Sequence, residues 1–205
     1  MSNKEELINA LTEEAINETK EKAGLKAVES LLWVIGEDPS REGLLETPKR
    51  FVKAWGEWFK GYKDDPAEIL SKSFSEVGGY DELVMLRKIP FESHCEHHIA
   101  PIIGSATIAY LPDQGVVGIS KLARLLDCYS KRLQVQEKLT AQIADAIEMY
   151  LKPRGVAVII TAEHHCMTTR GVHKHKSEMI TSEMRGSFRS EPSLRNEIMS
   201  LHLGG

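Results

Sequence analysis

Two clusters of cysteine and histidine, far apart in the chain, constrain its fold more than any other feature. The first is FESHCEHHIAP, residues 91–101; the second is EHHCMTTRG, residues 163–171. Cys95 and His98 form a Cys-x-x-His pair, a spacing at which two side chains can reach one zinc ion. Two ligands alone do not make a site, and the second cluster supplies another, Cys166. If that segment is a strand, His164 and Cys166 point to one face and His165 to the other. A Cys95, His98, Cys166 set offers zinc two thiolates and one imidazole with the fourth position left for water. That is the pattern of catalytic rather than structural zinc. Zinc lowers the pKa of its bound water to about 7. Any fold for this chain must therefore bring the ends of two distant segments together.

With 205 residues the chain suits one domain with an appendage or two small units. It can bury roughly 70% of its unfolded surface, so it needs neither disulfide nor metal to fold. A net charge of −4 argues against a nucleic-acid-coating surface but leaves room for a local cationic pocket. No nucleic-acid partner is expected. The N-terminal stretch is mostly Glu, Lys and Asn, without the apolar core of a signal peptide. No window approaches the roughly 18 apolar residues of a membrane span. Three cysteines make an odd count, which favours thiols or metal ligands in a reducing cytoplasm over disulfides.

Apolar spacing predicts helix over residues 4–35, with Gly24 a break between segments. In LLETPKRFVKAWGEWF, Thr47 reads as an N-cap with Pro48 at the first helical position. Phe51, Trp55, Trp58 and Phe59 share one face of that helix. Asp65-Pro66 repeats the start signal, and SFSEVGGYDE follows as a loop. The texture then changes. Residues 82–91 and 102–112 read as strands, with the first Cys/His cluster between them. DQGVVGIS is a turn leading to Ser120, an N-cap for a helix striped by Leu122, Leu125, Leu126 and Tyr129. A second helix runs through about residue 151. VAVIITAEHHCM is a buried strand, KSEMITSEMRGSFR a weaker one, and EPSLRNEIMSLHL a short capped helix. The order, helices first and then strand–strand–helix–helix–strand–strand with a last helix, is compatible with an α+β protein having an N-terminal helical region over residues 1–75 and a second domain over 76–205.

Other residues admit two readings each. Cys128 lies within a helical stripe and reads as a core thiol rather than a ligand. His173 and His175 alternate with lysines in a polar turn, where solvated surface is the default. Glu96 and Glu163 flank the ligand clusters and serve either as outer partners of the metal site or in salt bridges. Ser120, Lys121 and Arg124 stand at a helix start, where free N–H groups favour anions. Arg170 follows Cys166 and adds a cation. Together they would suit a triphosphate; singly they are surface charges. Gln136 and Glu137 open the second helix. A glutamate there either complements the helix dipole or accepts two N–H donors, as on the N1/N2 edge of guanine.

In this order the strings GLLETPKR, CEHH, GISKLAR, QVQEKLT, HHCMTTRGV and MITS, spanning about residues 30–190, resemble the zinc-dependent GTP cyclohydrolase I family. The resemblance implies a tunnelling fold: an antiparallel four-stranded sheet with two helices on one face, its strands joining across subunits into a barrel. It implies a homodecamer of two stacked pentamers, with active sites shared between subunits. The implied reaction converts GTP and water into 7,8-dihydroneopterin triphosphate and formate, at the start of folate or pterin synthesis. Carried over by position, the zinc ligands are Cys95, His98 and Cys166. His97 and His164 match proton-moving histidines, and Glu137 the guanine-anchoring carboxylate with Gln136 beside it. Ser120, Lys121, Arg124 and Arg170 match residues that hold the ribose-triphosphate end.

Some positions depart from the family pattern. Leu133 stands where proline is common, Met179 where threonine is, and Thr168-Thr169 where methionine is frequent; none removes a catalytic group. Two other functions stand beside this one. A zinc-stabilised oligomer that binds purine nucleotides without catalysis would need the metal and the cations but not His97 and His164. A nitrile reductase of queuosine synthesis, also of the tunnelling fold, would use a nucleophilic cysteine and NADPH, against which the Cys-plus-His metal set argues.

Overall fold

A computed structural model describes residues 3–71, 73–74, 80–113 and 115–204, with side chains described from residue 12 onward except at 73 and 74. The chain divides into two compact units, Met1–Trp58 and Phe59–Gly205.

The first unit is built on α1 (Asn3–Val34) and α2 (Thr47–Trp58). Gly24 does not break α1. A Cβ there would lie 3.1 Å from Val52 Cγ2, so the missing side chain lets the two helices approach closely. Thr47 is the first residue of α2 rather than its cap, a one-residue difference within the usual fraying of a helix end. Pro48 is buried in the first turn. Phe51 packs on Trp55 at 5.0 Å between ring centroids and edge-on to Trp58 at 6.2 Å. Val28, about one turn before Leu32, is buried within the α1 stripe.

In the second unit, Phe59 lies ring to ring with His94 at 5.1 Å. Asp65 caps α3 (Pro66–Leu70), accepting a 2.8 Å bond from the Ala67 N–H, as its sequence predicts. Two regions read as loop and turn contribute a small antiparallel pair, β1 (Ser73–Phe74) with β4 (Val116–Val117). The rest of the loop, residues 75–79, and Gln114 in the turn lie outside the described residues.

The main sheet contains β2 (Val84–Cys95), β3 (Pro101–Leu111), β5 (Leu133–Gln134), β6 (Gly155–His164) and β7 (Glu178–Gly186). Their order is β5-β2-β3-β6-β7. The four long strands pair antiparallel. The sheet has a fifth member beyond the expected four: β5 pairs parallel with the end of β2, His94 opposite Leu133 and Cys95 opposite Gln134. Between them run α4 (Ile119–Ser130) and α5 (Gln136–Leu151). The helix α4 starts at Ile119 behind Gly118, one residue before the expected cap, and Ser120 sits in its first turn.

Alternation along β3 and β6 sorts the core into two layers. Ile102, Ala106, Ile108, Val156, Val158 and Ile160 pack with Leu122, Leu125 and Leu126 of α4 and with Leu139, Ile143 and Ile147 of α5. On the opposite face Ala109, Leu111, Ala157 and Ile159 meet Phe188 and Ile198. These last come from α7 (Ser187–Ser190) and α8 (Pro192–Leu203), so helices lie on both faces of the sheet. This two-sided burial is why β6 reads as an unbroken apolar run. Arg185 of β7 ties the sheet to α5 through Asp145 at 2.6 Å and Glu148 at 2.8 Å, with Glu183 at 3.2 Å. Partial burial works against its charge, but these carboxylates hold its pKa above the usual arginine range.

Candidate metal centre and active site

The first ligand turn is a tight reversal at the end of β2. The Cys95 N–H bonds to the carbonyl of Ala100 and the Ile99 N–H returns to the carbonyl of Cys95, both at 2.8 Å. Ile99 closes the reversal with φ of +54°, left-handed backbone that a β-branched residue adopts only under strain. Strain of this kind is held where the surroundings over-determine the geometry. Here the Glu96 N–H is anchored to the carbonyl of Gln134 at 3.0 Å. The reversal brings His97 Nδ1 to 3.7 Å and His98 Nδ1 to 3.9 Å from Cys95 Sγ.

The second ligand arrives differently from the expectation. The strand β6 ends at His164, and α6 (His165–Thr168) is a single helical turn. Its closure is local: both the N–H and the hydroxyl of Thr169 bond to the carbonyl of His165, at 3.0 and 2.7 Å. Strand alternation therefore does not orient Cys166; the helical turn does. Because Ile102 pairs with His164, the end of β6 lies beside the start of β3, which follows the first ligand turn. The donor atoms of Cys95, His98 and Cys166 all fall within 4.8 Å of one another.

The chemistry of this donor set fits a divalent metal. Cys95 is buried and Cys166 half-buried, and both are free thiols. Burial pushes the Cys166 thiol up, and the neighbouring Cys95 pushes it further, with Arg170 opposing. A cation in the site would act the other way on Cys166, since a coordinated thiol is deprotonated outright. Two sulfurs with one imidazole are a soft, zinc-like set.

Next to these donors lies a buried hydrogen-bond network. His164 Nε2 is 2.8 Å from Gln136 Oε1, and Gln136 is only 1% exposed at the start of α5. Its Nε2 lies within bonding distance of the carbonyls of Ile160 and Met179 and the hydroxyl of Thr181. Burial holds the His164 imidazole below its usual pKa, with the charge of Glu137 acting in the other direction. Glu137 itself is exposed on the first turn of α5.

The single chain thus gathers Cys95, His97, His98, His164, Cys166, Gln136, Glu137 and Arg170 around the ends of β2 and β6. It does not gather Ser120, Lys121 and Arg124. These stand at the start of α4, which runs back toward β5, so about 14 Å of helix separates Lys121 from Ser130. Ser120 and Arg124 are exposed and Lys121 is half-buried.

Of the residues with two readings, Glu96 makes a 3.9 Å ion pair with Lys138. Cys128 is fully buried, its thiol pushed up by burial and lying 3.2 Å from Arg132 Nη2; it is the core thiol the sequence indicates. His173 and His175 are exposed. Thr140 and Thr181 escape a sequence reading, since threonine on a helix and on a strand carries no pattern that points to a common partner.

The chain is similar in sequence to known proteins. Residues 25–203 match the GTP cyclohydrolase I family. The chain is 55% identical to GTP cyclohydrolase 1 of Maricaulis maris over 175 residues, 85% of each chain. It is 56% identical to the Hyphomonas neptunium protein of the same name over 176 residues, 86% of this chain and 85% of that one. With the Brucella anthropi GTP cyclohydrolase 1 it shares 54% identity over 175 residues, 85% of this chain and 82% of the other. The solved archaeosine synthase QueF-Like in its apo form is a remote likeness, with a TM-score of 0.43 and 20% identity over 56% of this chain and 97% of that one.

Proposed function

The chain belongs to the GTP cyclohydrolase I family, and from that premise we propose how its residues divide the work of the reaction. The activity is that of a hydrolase: GTP and water become formate and 7,8-dihydroneopterin triphosphate, a step of folate biosynthesis. The observation that carries the assignment of the site is the convergence of Cys95, His98 and Cys166 within 4.8 Å.

Those three residues would hold a zinc ion, which would supply there a water of lowered pKa, the nucleophile that C8 of guanine needs. His97 and His164 move the protons that ring opening and formate release require, as an imidazole near its pKa can both donate and accept. His97 stands beside the ligand sulfur, and His164 stands at the end of β6. The exposed carboxylate of Glu137 accepts the N1 and N2 hydrogens of guanine, with Gln136 next to it behind the base. Arg170 and the group Ser120, Lys121 and Arg124 hold the ribose-triphosphate, the latter with help from the N-terminus of α4.

The distance of that group from the metal ligands in one chain supports a pocket shared between subunits. The sheet supports the same reading. The outer edge of β7, and most of the edge of β2 that faces away from β3, have no strand partner among the described residues, and open edges invite pairing with another chain. Joined edge to edge, the subunits form the barrel of the tunnelling fold, in a homodecamer of two stacked pentamers. Catalysis belongs to residues 76–205, residues 1–75 being the N-terminal helical region. The protein works in the cytoplasm; among the described residues no helix is long and apolar enough to cross a membrane.

The test is GTP turnover by the purified protein, following formate and pterin fluorescence together. Both products should vanish on chelation and return with zinc. Turnover that survives complete removal of metal would overturn the assigned role of Cys95, His98 and Cys166.

A further inference from the structure

We propose that Gln136 is a positioning residue that fixes the ring of His164 by accepting a hydrogen bond from its Nε2, and that Thr140 and Thr181 hold Gln136 in place. This rests on the proton-moving role proposed above for His164. The argument begins with an amide that could face either way. The nitrogen end of the Gln136 side chain lies 3.1 Å from the carbonyl of Ile160, 2.9 Å from that of Met179 and 3.1 Å from the Thr181 hydroxyl. The two carbonyls are acceptors only. Rotated by half a turn, the amide would set its own oxygen against both, in a site where Gln136 is 1% exposed and no solvent can relieve the clash. A buried polar group left unsatisfied in this way loses its hydration without a replacement bond.

The amide orientation is therefore fixed, and Oε1 faces His164 Nε2 at 2.8 Å. An amide oxygen can only accept. Nε2 must then be the donor, which fixes the ring with Nδ1 as its free nitrogen.

The threonines extend the same logic. Thr140 Oγ1 lies 2.8 Å from the backbone carbonyl of Gln136 and 2.7 Å from Thr181 Oγ1. With one hydrogen each, they allow a self-consistent ring: Thr181 donates to Thr140 and Thr140 to the carbonyl of Gln136, while the two hydrogens of the Gln136 amide are shared among the two carbonyls and Thr181. The ring joins α5 to β7, so the orientation of His164, on β6, depends on residues from two neighbouring elements.

The experiment compares Gln136→Met, Thr181→Val and Thr181→Ser with the unaltered protein, measuring bound metal, GTP affinity, KM and kcat for formate release. Positioning predicts that Gln136→Met keeps its metal and loses far more in kcat, on the order of 100-fold, the low end of general acid–base catalysis, than in GTP affinity. Thr181→Val should lose a few-fold in kcat, and Thr181→Ser should restore it. A Gln136→Met protein with unaltered kcat, or with its loss confined to KM, would overturn the proposal, the latter by showing that the amide touches substrate instead. If Gln136→Met fails to fold, equal kcat in the two Thr181 variants would overturn it. His164→Ala in the same series separates the levels: full turnover there removes the role of His164 itself and not merely its positioning.

Discussion

Cys166 and Cys128 carry the same thiol into opposite surroundings. Cys166 stands beside a second sulfur and an imidazole, whereas Cys128 is sealed in the core against Arg132. Replacing each with alanine should separate them. Cys166→Ala should lose the bound metal and turnover together, with metal affinity falling by more than the roughly 10–100-fold typical of an outer partner. Elemental analysis of the purified protein reads this directly. Cys128→Ala should keep full metal and turnover and lose about 1 kcal/mol of stability, a melting shift of about 2–4 °C for a chain of this size. Metal loss in Cys128→Ala would mean that the core thiol has been misread. At this scale the sequence was informative because cysteine and histidine are rare and announce themselves. Gln136 was harder to read, since nothing local distinguishes a glutamine that faces a ligand from one that clamps a histidine.

Elements report their pairing through glycine and charge. A Cβ on Gly104 of β3 would lie 2.2 Å from the carbonyl of Thr161 and 2.6 Å from the Cβ of Ala162 on β6. The clash falls on backbone, which cannot swing aside. Gly104→Ala should therefore cost about 1–3 kcal/mol or more, measured by urea unfolding, and should weaken metal binding because β6 delivers Cys166. Arg185→Met on β7 abandons three carboxylates at once. As these are mostly exposed, the loss should be modest, about 1 kcal/mol, and should shrink in high salt. The long strands and helices were legible because each carries a period. The elements β1, β4, β5 and α6 were not. Elements of two to four residues hold no period, and these exist because a partner strand or a threonine hydroxyl meets them. The cysteine on α6 was accordingly placed by strand alternation in sequence and by a helical turn in the structure, with the same ligand set resulting.

At the scale of the whole molecule, a pocket in which α4 faces metal ligands cannot close within one chain, because the helix that starts with Ser120 and Lys121 ends near Cys95 rather than beginning there. In the sequence only the family resemblance implied a shared site, since spacing along a chain says which residues could meet but not which copy they come from. Mixing two inactive proteins tests it. Lys121→Ala and Cys166→Ala chains, each silent alone, should regain part of the turnover when unfolded and refolded together, as some pockets then combine two intact halves. No recovery from well-assembled mixtures would place the whole pocket in one chain.

The open margins of β2 and β7 carry a consequence of their own. If rings close along them, the enzyme obeys mass action: dilution silences chains whose chemistry is untouched, and concentrating them again restores turnover only after a lag that shortens steeply as more chains are added. A cell making little of this protein would then hold less activity than its chain count implies, and a modest rise in synthesis would yield a disproportionate rise in pterin.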